Sequence, residues 1–298
     1  MNKSAIVAPL CAFALVGCAS YPKTEIATVS TSLTAVQTAF DAYYQALNRY
    51  GQESYVYQQV YRGQPISLDT VDRKGATYSK DALAARLAAI KVVGTYAEVL
   101  GKYAGGTDSQ DLAASASSLS TSVFTLRDAV DKDAASSSAY VGPVGDLLKA
   151  VVGWGTDAKL QSDFKTYAGR ATPQVLQILT LLKADATMVL QPQQLIGASG
   201  RRAALVGAYN AAAANLSLDQ KAETVAAIDA SIAAEAAAES LDLVATLASA
   251  EKAITGLQKK VEGGQIDDAQ IVQDIADFAS RVTALKKITD QIAKPGAS

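Results

Sequence analysis

The chain has 298 residues, of which 49% are hydrophobic, and its formal net charge at pH 7 is −2. This near-neutral charge, with no basic block, argues against nucleic acid as a partner. The sequence contains no histidine, so it lacks the commonest general base and the commonest metal ligand. We therefore expect a folded domain with a substantial core, no enzymatic activity, and no metal or other cofactor.

The first eighteen residues have the layout of an export signal. Lys3 supplies a positive start, and an uncharged apolar stretch follows from Ala5 to Gly17. A helix needs about 20 apolar residues to span the hydrocarbon core of a bilayer. The apolar stretch is shorter than that, so we interpret it as a secretion signal rather than as a membrane span.

The end of this segment, Leu15-Val16-Gly17-Cys18, resembles the lipobox of bacterial lipoproteins. The resemblance implies cleavage before Cys18, a diacylglyceryl thioether on its sulfur, and acylation of the new amino group by a chain such as palmitate. Several acyl chains give stable anchoring to a membrane, whereas one chain binds reversibly. Ala19 stands where an aspartate would retain a lipoprotein in the inner membrane, which implies sorting to the outer membrane.

Together these features predict a signal peptide over residues 1–17, a lipidated tether over 18–24 and a helical domain over 25–298. The predicted location is the cell envelope, with a lipid anchor in the outer membrane and the domain facing the periplasm. Cys11 would be removed with the signal, which leaves Cys18 as the only mature cysteine. An internal disulfide is therefore excluded.

Apolar residues at alternating spacings of three and four predict helices through the first half of the domain. The first begins near Ile26 and continues to about Arg62. Residues 63–78, which contain two glycines and a proline, predict a loop. A second helix is expected from Lys80 to Tyr103. Thr107-x-x-Gln110 predicts a capping box for a third helix that runs to about Val130.

The second half continues in the same way after a predicted polar loop over residues 134–140. A fourth helix is expected from Pro143 to Tyr167, and a fifth, capped by Thr172-Pro173, ends near Leu190. A further helix or kinked extension is expected over 193–214. The longest helix, over 218–262, is opened by a capping box at Ser217-x-x-Gln220, and a last helix is expected over 267–293. The sequence thus predicts an all-α fold, an elongated antiparallel bundle of about six to eight helices with coiled-coil-like seams.

The main candidate contact surface is a concentration of tyrosines between residues 43 and 61. Tyr43, Tyr50, Tyr57 and Tyr61 lie on or near the apolar seam, which predicts core or groove positions. The other tyrosines lie away from the seam and are expected on the surface. Tyrosine and arginine are common at binding hot spots. The candidate partner or ligand contacts are Tyr44, Arg49, Tyr55 and Arg62, together with Arg201 and Arg202, which lie in a glycine-flanked kink and could meet an anion.

Each of these candidates also has a structural interpretation. The tyrosines could serve packing alone, and the adjacent arginines could be a solvated helix start. The acidic groups Asp128, Asp131 and Asp133 lack the loop glycine and ligand number of a calcium site. Asp267-Asp268 fits a helix start, where negative charge complements the dipole. A hydrolase that uses two carboxylates distant in sequence is left open.

These observations favour a non-enzymatic helical scaffold or accessory subunit that is anchored through lipid on Cys18 and binds another envelope protein. The alternative is a periplasmic or surface binding module for a glycan or small ligand that uses the tyrosine-rich helix. Helix seams also fit self-association of the chain. A membrane-inserting hairpin would need about 18 contiguous apolar residues, and no such stretch follows the signal.

Overall fold

A computed structural model describes residues 23–75, 79–154, 159–240, 242–263 and 268–293. The predicted signal peptide and Cys18 lie outside these residues. The described residues are helical and contain no strand, which confirms the all-α prediction. None of their helices is both long enough and apolar enough to cross a membrane.

The helices are more numerous than the six to eight that the sequence predicts, partly because several are short. They are α1 (Lys23–Tyr61), α2 (Leu68–Gly75), α3 (Lys80–Ala104), α4 (Ser109–Lys132), α5 (Ala134–Ser137), α6 (Val141–Val151), α7 (Leu160–Asp185), α8 (Gln191–Ala212), α9 (Leu218–Glu239), α10 (Leu243–Val261) and α11 (Asp268–Ala293). A 3₁₀ turn, Ser138–Tyr140, precedes α6. A π-helical segment, Ala186–Leu190, joins α7 to α8 without a break in the helical backbone.

The main core lies in what we call the body, which consists of α3, α4, α6, α7, α10, α11 and the N-terminal half of α1. Helix α3 contacts α1, α4, α7 and α10, and α1 also packs against α11. Large side chains such as Phe40, Ile90 and Phe278 are fully buried there. An aromatic group forms where Phe164 stacks on Tyr103 and meets the edge of Trp154, with ring centroids 4.1 and 5.8 Å apart.

A second group of helices, which we call the arm, comprises residues 48–75 and 191–239. Helix α8 packs along the C-terminal half of α1, and α9 packs back against α8. A Cβ placed on Gly197 would lie 3.7 Å from Tyr50 Cβ, and one on Gly200 would lie 3.3 Å from Ser54 Oγ. Because residue numbers rise together along the two helices, α8 runs parallel to this half of α1 instead of antiparallel.

The expected start of a helix at Thr172-Pro173 is wrong, because both residues lie inside α7. The Thr172 hydroxyl lies 2.9 Å from the Ala168 carbonyl oxygen and 2.5 Å from Gln258 Oε1, so it is held in a buried contact with α10. The side chains around it face the core, and burial of that face outweighs the hydrogen bond that Pro173 cannot make. Pro173 itself is exposed.

Local signals correctly predicted several boundaries and missed others. The Ser217-x-x-Gln220 capping box is confirmed by reciprocal hydrogen bonds of 3.0 and 3.2 Å. The Thr107 box is wrong, because Asp108 caps α4 by accepting from the Asp111 N–H. The predicted loops over 63–78 and 134–140 contain α2 and α5. The expected helix over 218–262 is divided into α9 and α10, and Asp242 caps α10.

Candidate functional site

Large exposed apolar side chains are concentrated on the arm. Leu68 and Leu218 are the most exposed, at 85% each, and Tyr61 is 67% exposed. The arm carries the following exposed residues: Val60, Tyr61, Ile66, Leu68, Ile196, Val206, Leu218, Val225 and Ile232. Scattered exposed apolar residues are normal on a protein surface, but a concentration of them is typical of an interaction site.

A groove of about 720 Å³ lies between α1 and α8 in this region. One wall is formed by Tyr57, Gln58 and Tyr61 of α1 and by Arg62, which directly follows the helix. The floor and opposite wall are formed by small or polar residues of α8, namely Gly200, Ala203, Ala204, Gly207, Asn210 and Ala211. The volume is within the range of small-molecule sites, roughly 300–1,000 Å³.

The groove exists because the two helices diverge towards their C-terminal ends. An added Cβ would lie tightly, 3.3 Å, against Ser54 Oγ at Gly200, and in ordinary contact, 3.7 Å, with Tyr50 Cβ at Gly197. At Gly207, two turns further along, no atom lies within 4 Å of an added Cβ. The space between the helices therefore opens along α8, and the tyrosines of α1 face small residues across it.

The end of the arm brings three chain segments together. Tyr61 and Arg62 line the same groove as Asn210 and Ala211, so the C-terminal end of α1 lies beside the C-terminal end of α8. Helix α9 begins at Leu218, six residues after α8 ends. We call residues 60–68 and 210–218 the tip of the arm.

Arg49 and Arg201, two of the predicted contact residues, belong to a cluster that joins α1 to α8. Their guanidinium groups lie over the Tyr50 ring, 5.6 and 5.2 Å from its centroid, and both pair with Glu53. Burial raises the pKa of Tyr50, and the nearby positive charges of Arg201 and Arg49 partly offset that rise. Arg201 is only 11% exposed, so this cluster stabilises the arm more readily than it binds an anion.

The expectation that Tyr44 lies on the surface is wrong. Tyr44 is fully buried and donates a hydrogen bond to Asp185 Oδ2 at 3.1 Å. Helix α1 is covered by α3, α8 and α11, so its buried face is wider than the narrow seam that the sequence shows. Tyr43 and Tyr50, which lie on that seam, are buried as predicted.

The remaining predicted residues lie at separate places on the arm. Tyr55 is half-buried, and Arg62 is exposed at the groove. Arg202 forms an ion pair of 2.6 Å with Glu235 of α9. Gln58, Asn210 and Gly207 could not be identified as groove residues from the sequence, because polar and glycine residues on the outer face of a helix carry no periodic signal that marks a groove.

Two of the three aspartates between residues 128 and 133 have contacts other than a metal cation. Asp133 is buried, accepts a hydrogen bond from Ser137, and lies 3.8 Å from Arg86. Asp128 pairs with Arg127 at 2.7 Å. Across the described ranges, no group of three histidine, cysteine, aspartate or glutamate residues is arranged to hold a metal ion. Asp267 and the side chain of Asp268 lie outside what the structure describes.

No protein-family model matches the chain, and neither a curated protein nor a solved structure shows significant similarity to it.

Proposed function

We propose that the protein is a lipid-anchored envelope scaffold or accessory subunit that uses the tip of its arm to bind another envelope protein. The observation that carries this proposal is the concentration of large exposed apolar side chains on the arm, above all Leu68 and Leu218. Such residues are costly to leave in water and gain free energy when a partner covers them. No catalytic role is included in the proposal.

The path of α1 supports an arrangement in which the tip points away from the membrane. The helix begins at Lys23, five residues after Cys18, and ends at the tip with Tyr61. At 1.5 Å per residue, its 39 residues give a length of about 60 Å. A lipid on Cys18 would therefore hold one end of α1 near the membrane, most simply the periplasmic face of the outer membrane, and the tip would lie well away from that surface.

The test of docking is site-specific photocrosslinking in cells, with the crosslinking residue placed at Leu68 or Leu218 of the lipidated protein. The same residue at Val141, a 54% exposed position of the body, is the matched control. We expect one dominant protein adduct from the tip positions and none from Val141. Adducts of equal intensity from all three positions, or none from the tip, would contradict the proposal. An adduct with a second copy of the chain would replace it with self-association.

The anchor is tested separately by the variant Cys18→Ser. We expect it to lose labelling by a radioactive fatty acid and to leave the membrane fraction, while the helical content measured by circular dichroism is unchanged. Retention of Cys18→Ser in the membrane would show that the protein is held there by something other than this lipid.

A further inference from the structure

The groove between α1 and α8 shares Tyr61, Arg62, Asn210 and Ala211 with the tip, but its lining differs in chemistry from the exposed apolar side chains beside it. Its lining contains two phenol rings, two carboxamides and one guanidinium group, contributed by Tyr57, Tyr61, Gln58, Asn210 and Arg62. Its described lining has no carboxylate and no leucine, isoleucine, valine, phenylalanine or methionine. The groove therefore offers no negative charge to a cation and no large aliphatic side chain to an alkyl chain.

The lining groups suit a flat, hydroxylated ligand. Tyr57 and Tyr61 are one helical turn apart, which places both rings on the same side of α1. A tyrosine ring offers a broad apolar face together with a polar edge. A carboxamide both donates and accepts hydrogen bonds, as a sugar hydroxyl does, so Gln58 and Asn210 can pair with hydroxyl groups of either orientation.

Arg62 favours a negatively charged ligand. Among the described residues, the Arg62 guanidinium has no carboxylate partner, unlike Arg49, Arg201 and Arg202 on the same arm. An arginine recognises a carboxylate through two parallel hydrogen bonds, which is among the strongest polar contacts in proteins. A ligand that carries a carboxylate would supply the missing partner.

Gly207 leaves the floor of the groove without a side chain. A glycine in the middle of a helix costs about 1 kcal/mol relative to alanine. No atom lies within 4 Å of a Cβ placed at Gly207, and its backbone needs no positive φ. A larger residue there would project into the groove, so Gly207 keeps open the space that a ligand would occupy.

We propose that this groove binds an acidic oligosaccharide. Its sugar rings lie against Tyr57 and Tyr61, its hydroxyl groups bond to Gln58 and Asn210, and its carboxylate pairs with Arg62. This binding goes beyond the docking of a protein at the tip and does not depend on it, because every group involved belongs to the groove of a single chain.

The test uses the purified full-length lipidated protein in a detergent without a sugar headgroup. Binding is measured by calorimetry against trimers of galacturonate, oligomers that alternate glucuronate with N-acetylglucosamine, and sialyl-lactose, with maltotriose as the neutral reference. We expect saturable binding of at least one acidic oligosaccharide, at least tenfold tighter than that of maltotriose, and weaker at high salt. No binding of any acidic oligosaccharide, or equal binding of maltotriose, would overturn the proposal.

Three variants locate the site. Gly207→Leu fills the floor of the groove at a position where no neighbour lies within 4 Å, so it should fold and yet lower the affinity at least tenfold. Gly169→Leu, at an exposed glycine inside a helix that likewise has no atom within 4 Å of an added Cβ, is the matched control and should bind as the unchanged protein does.

Arg62→Gln should remove the preference for acidic over neutral sugars, and Tyr61→Ala should weaken the binding of both. If Gly207→Leu binds as tightly as Gly169→Leu, the sugar binds elsewhere and the proposal fails. If a photocrosslinker at Ala203, a groove residue outside the tip, captures a protein in cells and the purified protein binds no sugar, the groove is a protein-docking site and the proposal fails.

Discussion

Arg86 of α3 and Asp185 of α7 form a buried ion pair in which the guanidinium donates two hydrogen bonds, of 2.8 and 2.9 Å, to the two carboxylate oxygens. Arg86 also donates to the Ala82 carbonyl oxygen at 2.9 Å and lies 3.8 Å from Asp133. Tyr44 of α1 donates to the same carboxylate of Asp185. One arginine thus faces two buried carboxylates at the place where the body meets the π-helical segment.

The first prediction is that Arg86→Met is far more destabilising than Asp185→Asn. Loss of the arginine leaves two carboxylates buried without a cation, and breaking a buried pair in this way costs about 3–5 kcal/mol. Asp185→Asn leaves Arg86 beside Asp133 and so costs less. Urea denaturation gives the free energy of unfolding of each variant.

The control for this comparison is Arg127→Met, which breaks the exposed pair with Asp128. Exposed pairs contribute about 0–1 kcal/mol, so this change should be close to neutral. If Arg86→Met cost no more than Arg127→Met, the ion pair would be solvated in solution and not buried as described.

The second prediction concerns two buried tyrosine hydroxyls with opposite surroundings. Tyr140 is buried, and its hydroxyl has no hydrogen-bond partner among the described residues. The Tyr96 hydroxyl lies 2.5 Å from Thr172 Oγ1 and donates to the Ala168 carbonyl oxygen at 3.2 Å. We expect Tyr140→Phe to be neutral or stabilising, whereas Tyr96→Phe should cost about 0.5–1.5 kcal/mol because it removes the hydrogen bonds of a buried hydroxyl, while Thr172 stays in contact with Ala168 and Gln258. Equal losses of unfolding free energy in the two variants would contradict this assignment.

The third prediction is a loss of stability at alkaline pH. Burial raises the pKa of Tyr96 and of Tyr140 above the ordinary tyrosine value. A raised pKa in the folded state means that the folded protein holds the proton more tightly than the unfolded chain does. Its contribution to stability is therefore complete below about pH 10, the pKa of an unfolded tyrosine, and is lost progressively at higher pH.

For each tyrosine with a raised pKa, the free energy of unfolding should fall by at most about 1.4 kcal/mol per pH unit above about pH 10. The measurement is the free energy of unfolding between about pH 8 and pH 11, compared with that of Tyr140→Phe. The variant should lose stability less steeply with pH, because it has one fewer tyrosine with a raised pKa. Identical pH dependence of the two proteins would show that Tyr140 ionises normally in the folded state.

The fourth prediction is that Pro173→Ala stabilises the protein. Proline inside a helix removes a backbone hydrogen bond and crowds the carbonyl group four residues earlier, at a cost of about 3 kcal/mol in an ideal helix. Pro173 is exposed, so alanine should restore the bond to Gly169 without loss of packing, and a gain of about 1–3 kcal/mol is expected. Pro143→Ala, in the first turn of α6, should change the thermal midpoint little. A loss of stability in Pro173→Ala would mean that the bundle requires a bend there.

Most helices could be predicted from the sequence because their signals are local. The boundaries of α3 and the cap at Ser217 depend on residues a few positions apart, and both are as expected. Thr172-Pro173 carries an equally good local signal for a helix start, but contacts with Gln258 and Tyr96 outweigh it. A residue more than eighty positions away in sequence cannot be weighed before the fold is known.

The candidate site was harder to predict for the same reason. The tyrosine-rich end of α1 was visible in the sequence, but its partner in the groove is α8, which lies about 140 residues later and parallel to it. Which tyrosines are buried depends on how α8 approaches α1, so Tyr44 was placed wrongly and Tyr57 and Tyr61 could only be assigned to core or groove. Asn210 and Gly207 acquire meaning only from the divergence of the two helices.

The unbroken helical backbone of α7, the π segment and α8 extends over 53 residues, from Leu160 to Ala212. At 1.5 Å per residue it would be about 80 Å long, and it joins the core of the body to the tip of the arm. No loop interrupts the helix between the tip and the body, so a sideways force on the tip would be transmitted along the helix. It would act as torque on the π segment and on Asp185 at its base, so the helix has the mechanical character of a lever whose fulcrum lies at the buried ion pair of Asp185 with Arg86.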